Sequence, residues 1–220
     1  MKFTELDLKG VYLISPKIFS DSRGEFHRSF CKNEFKKNGI DNSFEQGNIS
    51  ENPQKGTLRG FHYQIDPFQE SKTISCITGS IFDVIIDLRK DSLTFLKSAS
   101  VKISYKKKES IFIPKGCANA WLTLESNTII HYYMGSSYKP GFDKGIKFND
   151  NFFDIIIDRQ SLQHNNRSEI LKIIFEINRV LKPKGIFYSH LICKANYNYL
   201  TYYFTKEKIK TMFKALRIIN

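Results

Sequence analysis

From residue 1 to about residue 150, apolar and polar positions alternate in short runs; beyond that point the apolar spacing lengthens to that of a helix. The runs "GVYLISPKIF", "TISCITGSIFDVIIDLR", "SASVKISY", "ESIFIPKG", "AWLTLE" and "TIIHYYM" are rich in β-branched and aromatic residues, which predicts strands. Breakers separate them: Asp21-Ser22-Arg23-Gly24, Thr78-Gly79-Ser80, Pro114-Lys115-Gly116 and Pro140-Gly141. The segment "CKNEFKKNG", residues 31–39, predicts a short helix ended by Gly39, and "YKKKE" at 105–109 a turn between strands. "GTLRGFHYQ", residues 56–64, also alternates. Strict alternation places Leu58, Gly60, His62 and Gln64 on one side of a strand and Arg59, Phe61 and Tyr63 on the other. Many short strands at this spacing predict a mainly β fold, a jelly-roll or barrel, whose mouth suits a small molecule.

After residue 150 the pattern is different. "FFDIIIDR" is a continuous apolar run, as in a strand buried on both faces. "RSEILKIIFEINRVLK" has apolar residues at 170, 171, 173, 174, 177, 180 and 181, which is helical spacing. Ser168 is the expected cap near its start, and Lys182-Pro183-Lys184-Gly185 the expected stop before a second strand, "GIFYSHLI". The expected organisation is therefore a β domain over residues 1–150 and a partial α/β segment over 151–220.

Composition narrows the functional classes. With 220 residues, 41% hydrophobic and 14% aromatic, the chain is expected to fold rather than remain disordered. It contains no apolar run long enough to span a membrane, and "MKFTELDLKG" lacks the apolar stretch of an export signal, so a cytoplasmic protein is expected. Cys31, Cys76, Cys117 and Cys193 are widely spaced without a neighbouring histidine cluster; reduced thiols and no metal site are expected. The net charge of +12 raises the question of nucleic acid. Residues 151–220 carry 12 Lys/Arg against 5 Asp/Glu, however, and residues 1–150 carry 22 against 17. The second part thus holds +7 of the excess in a third of the length; solvated charge runs such as "YKKKE" or a phosphorylated small-molecule ligand account for positive charge equally well, and no nucleic-acid partner is expected.

From the residues alone, His62 reads either as a base in a pocket or as an interior histidine, and Lys72 as a site cation or an edge-strand lysine. Arg23 in "DSRGEF" reads equally well as a turn residue. Six stretches in series bear on these choices: "SPKIFSDSRGEFHRSF" (15–30), "EQGNIS" (45–50), "GTLRGFHYQ" (56–64), "SKTISCITGSIFDVIIDLRKDSLTF" (71–95), "IFIPKGCANAW" (111–121) and "YYMGSSYKPGFDKGIKFND" (132–150). In order and spacing they resemble the dTDP-4-dehydrorhamnose 3,5-epimerase family, cupin-type enzymes acting on nucleotide-linked 4-keto-6-deoxy sugars in deoxysugar and polysaccharide biosynthesis. The resemblance implies a cupin-type jelly-roll, a homodimer with exchanged strands, and no cofactor.

It also implies roles for particular residues. His62 matches the general base, and Tyr132, eight residues before Pro140, the acid on the opposite face of the sugar. Lys72 and Arg59 match cations around the ketone and phosphates, and Tyr138 a second pocket tyrosine. Arg23, Gln46 and Asn48 match positions lining the nucleotide site. The residue types suit the chemistry, since a proton beside a ketone is removed only if the resulting enolate is stabilised.

Two departures from the family pattern stand out. Asn119 in "PKGCANAW" occupies a place where a pocket histidine is expected, and it can hydrogen-bond a sugar oxygen but cannot titrate. The carboxylate that orients the family's base also lacks a clear counterpart: Glu169 falls near the offset but within a helical pattern. Residues 153–191 resemble instead the middle of a class I S-adenosylmethionine-dependent methyltransferase, without the Gly-rich loop that would hold the cofactor. The expected function is thus epimerisation, possible in impaired form. The alternatives are an inactive sugar-nucleotide-binding chimera and, least favoured, a methyltransferase.

Overall fold

The computed structural model describes residues 1–40, 43–146, 148–159 and 167–190. They belong to two compact units, Met1–Ile146 and Lys147–Asn220. The first unit contains β1 (Lys2–Glu5), β2 (Tyr12–Ser15), β3 (Ile18–Asp21), β4 (Gly24–His27), α1 (Lys32–Lys37), β5 (Gln46–Asn52), β6 (Leu58–Gln64), β7 (Lys72–Thr78) and β8 (Ser80–Asp87). It continues through β9 (Ser98–Ser104), β10 (Ser110–Ile113), β11 (Cys117–Thr123), β12 (Thr128–Met134) and β13 (Asp143–Lys144).

These strands form two antiparallel sheets, one in the order β1-β2-β10-β7-β12-β5 and the other β13-β6-β11-β8-β9. Apolar residues recur at alternate, inward positions in both, as the alternation predicts. Ile74, Ile111, Ile113 and Ile130 of the first meet Ile81, Ile85, Ile103 and Trp121 of the second in one buried cluster. This is the jelly-roll expected. Strands β1 and β5 escape the sequence reading, because neither carries a long apolar run. The breaker at Thr78-Gly79-Ser80 does more than end a strand: it sends the chain from one sheet into the other. Gly79 has φ +72°, and a Cβ there would press on Thr128, so this corner requires glycine.

Helix α1 lies where it is expected. It buries Phe35 among Phe3, Phe30, Phe44 and Phe112, and ends on Asn38 with Gly39 following at φ +76°. The turn after β9 is a 3₁₀ turn over Tyr105–Lys107, as "YKKKE" suggests. Hairpin β3–β4 forms a two-stranded sheet of its own, with Phe19 53% and Phe26 68% exposed. At the end of β8 the buried Asp87 carboxylate accepts from Arg89 Nε (2.8 Å), Ser92 Oγ (2.6 Å) and Thr94 Oγ1 (2.6 Å), closing the loop to β9. Burial works against its ionisation, but these hydrogen bonds outweigh it and hold its pKa well below the usual carboxylate range.

The second unit comprises β14 (Phe153–Arg159), α2 (Arg167–Val180) and β15 (Leu181–His190). β14 and β15 pair in parallel, and α2 buries Ile170, Ile174 and Ile177 against Leu181 and Phe187. This is the expected strand–helix–strand, with two corrections. Ser168 lies inside the first helical turn rather than at the cap, because the helix already begins at Arg167. The Lys182–Gly185 stretch falls within β15, and the helix stops before it at Val180. Leu191, Ile192 and Cys193 lie outside the described residues; Cys31, Cys76 and Cys117 are free thiols. Among the described residues no helix is long and apolar enough to cross a membrane.

Replacing Asp87 by Ala leaves Arg89, Ser92 and Thr94 without their acceptor and is expected to destabilise the chain by about 2–4 kcal/mol. Urea unfolding monitored by circular dichroism measures this. The Asp87 contribution is present above the unfolded pKa of an aspartate and is lost as the pH falls towards the depressed folded value. The wild-type and Asp87→Ala unfolding curves should therefore converge in acid.

Candidate active site

The strand carrying His62 is irregular, and the irregularity builds the site. Along β11 the residue opposite Asn119 is His62, the one opposite Trp121 is Arg59, and the one opposite Leu122 is Leu58. Gly60 and Phe61 thus face the single residue Ala120, which makes a β-bulge. The extra residue reverses the side-chain alternation. Arg59 and His62 share a face, which corrects the expectation of opposite sides. Gly60 sits at φ +131°, where an added Cβ would collide with Ala120 and lie 2.6 Å from the Asn119 carbonyl oxygen. Only glycine permits this approach of β6 to β11.

Behind His62 lies a buried polar cluster. Lys72, at the start of β7 and 7% exposed, donates to the His62 carbonyl oxygen at 3.0 Å and to Asn119 Oδ1 at 3.1 Å. It also pairs with Glu70 Oε1 at 3.1 Å. The ammonium is thus held by two hydrogen bonds and one ion pair. The other Glu70 oxygen accepts from the backbone N–H of Gln64 at 3.0 Å. Asn119 Nδ2 in turn donates to Asp83 Oδ1 at 3.2 Å. Asp83 is wholly buried, and its other oxygen has no partner. Burial pushes its pKa up to about 7, against the opposing effects of the Asn119 hydrogen bond and the nearby Lys72 charge.

A cavity of about 450 Å³ opens in front of this cluster, lined by His62, Lys72, Asn119, Trp121, Tyr132 and Tyr138 together with Gln46, Asn48, Gln64, Glu70 and Asp143. His62 enters from β6 of the five-stranded sheet, and Tyr132 from β12 of the six-stranded one. The Tyr132 ring packs on Trp121 at 5.8 Å between centroids. Desolvation lowers the His62 pKa below its ordinary 6.5; Lys72 and Arg59 add to this, and Asp143 and Glu70 oppose it. Burial raises the Tyr132 pKa, so the phenol keeps its proton at neutral pH. The His62 imidazole makes no hydrogen bond or ion pair among the described residues.

Gln46 and Asn48 are joined at 2.9 Å beside the cavity, and Asn48 Nδ2 reaches Met134 Sδ at 3.2 Å. Tyr138 donates its hydroxyl to Asp143 Oδ1 at 3.1 Å, and its backbone N–H is held by Gln46 Oε1 at 2.9 Å. Arg59 is not among the lining groups. Its Nε donates to Asn52 Oδ1 at 2.9 Å, but its charge reaches both His62 and Tyr132. Arg23 is not brought to this cavity within the chain: it sits at the tip of hairpin β3–β4, paired with Asp21 at 2.6 Å.

Sequence reasoning did not single out Glu70, Asp83, Gln64, Trp121 or Asp143. Gln64 accepts from the Lys139 backbone at 2.6 Å and donates to the carbonyls of Phe68 and Ser137, fixing the loop that carries Tyr138. A detectable signal existed for Asp83, an acid at an inward position within the apolar run "SIFDVIID".

Comparison with known proteins places the chain among sugar-nucleotide epimerases by sequence and fold. A family model described as dTDP-4-dehydrorhamnose 3,5-epimerase matches residues 5–171. The dTDP-4-dehydrorhamnose 3,5-epimerase of Sinorhizobium fredii is 37% identical over 150 residues, which are 68% of this chain and 77% of that protein. The crystal structure of a Bacillus anthracis dTDP-4-dehydrorhamnose 3,5-epimerase with TDP and PPi bound is similar at TM-score 0.65 and 36% identity, covering 68% of this chain and 85% of that one. The Legionella pneumophila dTDP-6-deoxy-D-glucose-3,5-epimerase, in complex with dTDP-4-keto-L-rhamnose, gives TM-score 0.63 and 33% identity over 68% of this chain and 79% of that one. The methyltransferase resemblance of residues 153–191 gains no support from these matches.

Gly60→Ala is expected to cost about 3 kcal/mol or more, because the bulge must either shift or open. Chemical denaturation reads the loss. Substitution by Ala at Gly141, which has φ +88° but nothing within 4 Å of its would-be Cβ, should cost clearly less.

Proposed function

The chain belongs to the dTDP-4-dehydrorhamnose 3,5-epimerase family, and on that premise we propose that His62 and Tyr132 invert one or both carbons beside the ketone of a nucleotide-linked 4-keto-6-deoxy sugar. The observation that carries this reading is the placement of a histidine and a protonated tyrosine on opposing sheets of one cavity, with a buried cation beside them. Inversion needs a proton taken from one face of the ring and returned to the other.

The steps follow from the groups present. Neutral His62 takes the proton from the carbon next to the ketone, and its depressed pKa keeps the ring in the basic form at neutral pH. The electron pair moves onto the ketone oxygen as an enolate. Lys72 stabilises that charge as a fixed positive centre, held in place by its hydrogen bonds to the His62 carbonyl and Asn119 and by its ion pair with Glu70. Tyr132 then gives its proton to the opposite face of the carbanionic carbon. Asn119 offers an amide where a titrating ring is expected, and so binds without transferring protons. Gln46, Asn48 and Tyr138 suit the polar atoms of the nucleotide, and Arg59 the phosphates. His62 has no orienting carboxylate among the described residues, which favours slow proton transfer over none.

A homodimer is part of the same reading. The support is hairpin β3–β4, which among the described residues pairs only with itself and exposes Phe19 and Phe26, together with edge strand β5, whose Ile49 is 67% exposed. In a dimer of this kind Arg23 would complete a partner's nucleotide site. Sedimentation should give twice the mass of one chain, and Phe26→Asp should shift it towards monomer.

Incubation of the protein with dTDP-4-keto-6-deoxyglucose in D₂O tests the chemistry. Deuterium is expected at C3, C5 or both, read by proton NMR. His62→Asn should lower exchange by roughly 10²–10⁴-fold, and Tyr132→Phe should retain exchange while losing inverted product. The rate should fall on the acid side only below the ordinary histidine pKa of 6.5, because protonation removes the base. Thermal stabilisation by the sugar nucleotide without any exchange would make the chain a binder and sink the enzymatic reading.

A further inference from the structure

Lys72 and Glu70 lie on and just before β7 of the six-stranded sheet, whereas His62, Gln64, Asn119 and Asp83 belong to the five-stranded one. Every bond of the cluster that joins the two groups is therefore a tie between sheets. Three such ties converge: Lys72 to the His62 carbonyl, Lys72 to Asn119, and Glu70 to the Gln64 N–H. Two of them hold β6 just after His62, at its own carbonyl and at the Gln64 N–H, and the third holds β11 opposite it. Tyr132 sits on β12, which pairs directly with β7 through Tyr132 opposite Ile74 and Met134 opposite Lys72. The same ties thus connect the strand of the base to the strand next to the acid.

We propose that Glu70 and Asp83 are positioning residues: Glu70 holds Lys72 and β6 directly, Asp83 holds Asn119 against Lys72, and together they set the separation between His62 and Tyr132 across the cavity. Neither need touch substrate. Glu70 is 5% exposed with both oxygens already engaged, and Asp83 is sealed behind Asn119. Asp83 is a costly device if stability alone is at stake, because one oxygen of a fully buried carboxyl is left without a partner. Its retained bond is to the one residue, Asn119, that links it to Lys72 and faces the cavity. Glu70 has a second effect. His62 is faced by the cations Lys72 from β7 and Arg59 from β6, and by the carboxylates Asp143 from β13 and Glu70. Removing the Glu70 charge leaves the cations less opposed and makes the imidazole harder to protonate.

The inference rests on the epimerase reading, and the test separates the two. Wild type, Glu70→Gln and Asp83→Asn are compared for deuterium exchange into dTDP-4-keto-6-deoxyglucose across pH, for dTDP affinity by calorimetry, and for melting temperature. Glu70→Gln is expected to lower kcat about tenfold, through misplacement of the reacting groups. Its dTDP affinity should stay within about twofold, and its acid limb should move to lower pH. Asp83→Asn replaces the carboxyl acceptor of Asn119 with a weaker, neutral amide oxygen of the same shape, and is expected to lower kcat by about threefold or more while melting within a few degrees of the wild type. Variants with wild-type kcat overturn the proposal. So does a fall in kcat matched by an equal loss of dTDP affinity and of melting temperature, which is the mark of a merely structural role. If Glu70→Gln does not fold, Asp83→Asn alone decides by its split between kcat and melting temperature. Absence of exchange by the wild type overturns the proposed function itself, and the inference with it.

Discussion

An ammonium group almost excluded from water is the constraint around which the site is arranged. Leaving Lys72 unpaired at that depth would cost several kcal/mol, and the protein meets it with a carboxylate, a carbonyl and an amide oxygen. Each acceptor is itself fixed by a further bond or by its place in a strand. The cation therefore cannot shift without breaking contacts in both sheets. Such an arrangement suits an electrostatic role, in which a charge is useful because it is already in place before any negative charge develops on a substrate.

The backbone around this cluster departs from regular sheet where the site requires it. The bulge at Gly60 and Phe61 turns Arg59 to the face of His62, close enough for its charge to lower the pKa of the imidazole. The corner at Gly79 moves the chain from the sheet of Lys72 to that of Asp83 within a few residues. Both positions have a left-handed φ and no room for a side chain. Beside the cavity the two sheets meet in a buried apolar cluster rich in isoleucine, which gives the polar layer a stiff support. The Asp87 loop adds a local closure at the far end of β8.

The second unit follows different rules. Its two parallel strands and one helix share a small apolar core of Ile170, Ile174, Ile177, Leu181 and Phe187. Arg179 ties the end of the helix back to the Phe148 carbonyl at 2.8 Å, which anchors the unit's first residues to its helix. The residues of the proposed chemistry all belong to the jelly-roll.

Much of this is legible in the sequence, and the limit has a physical cause. Alternation, turn residues and helical spacing are local properties, so most strands, both helices and the change of pattern near residue 150 are read directly. His62, Lys72, Tyr132, Gln46, Asn48, Asn119 and Tyr138 are selected by motif and do line one cavity. What the sequence by itself could not settle depends on pairing between distant strands. Strict alternation puts Arg59 on the wrong face, because a bulge is defined only by the partner strand opposite it. Glu70 and Asp83 look like ordinary acids until β7, β11 and β8 bring them to Lys72 and Asn119. The sequence determined which residues are available and which way most of them point. The tertiary structure decided which charges meet, since a buried ion pair belongs to two sheets and to no single stretch of chain.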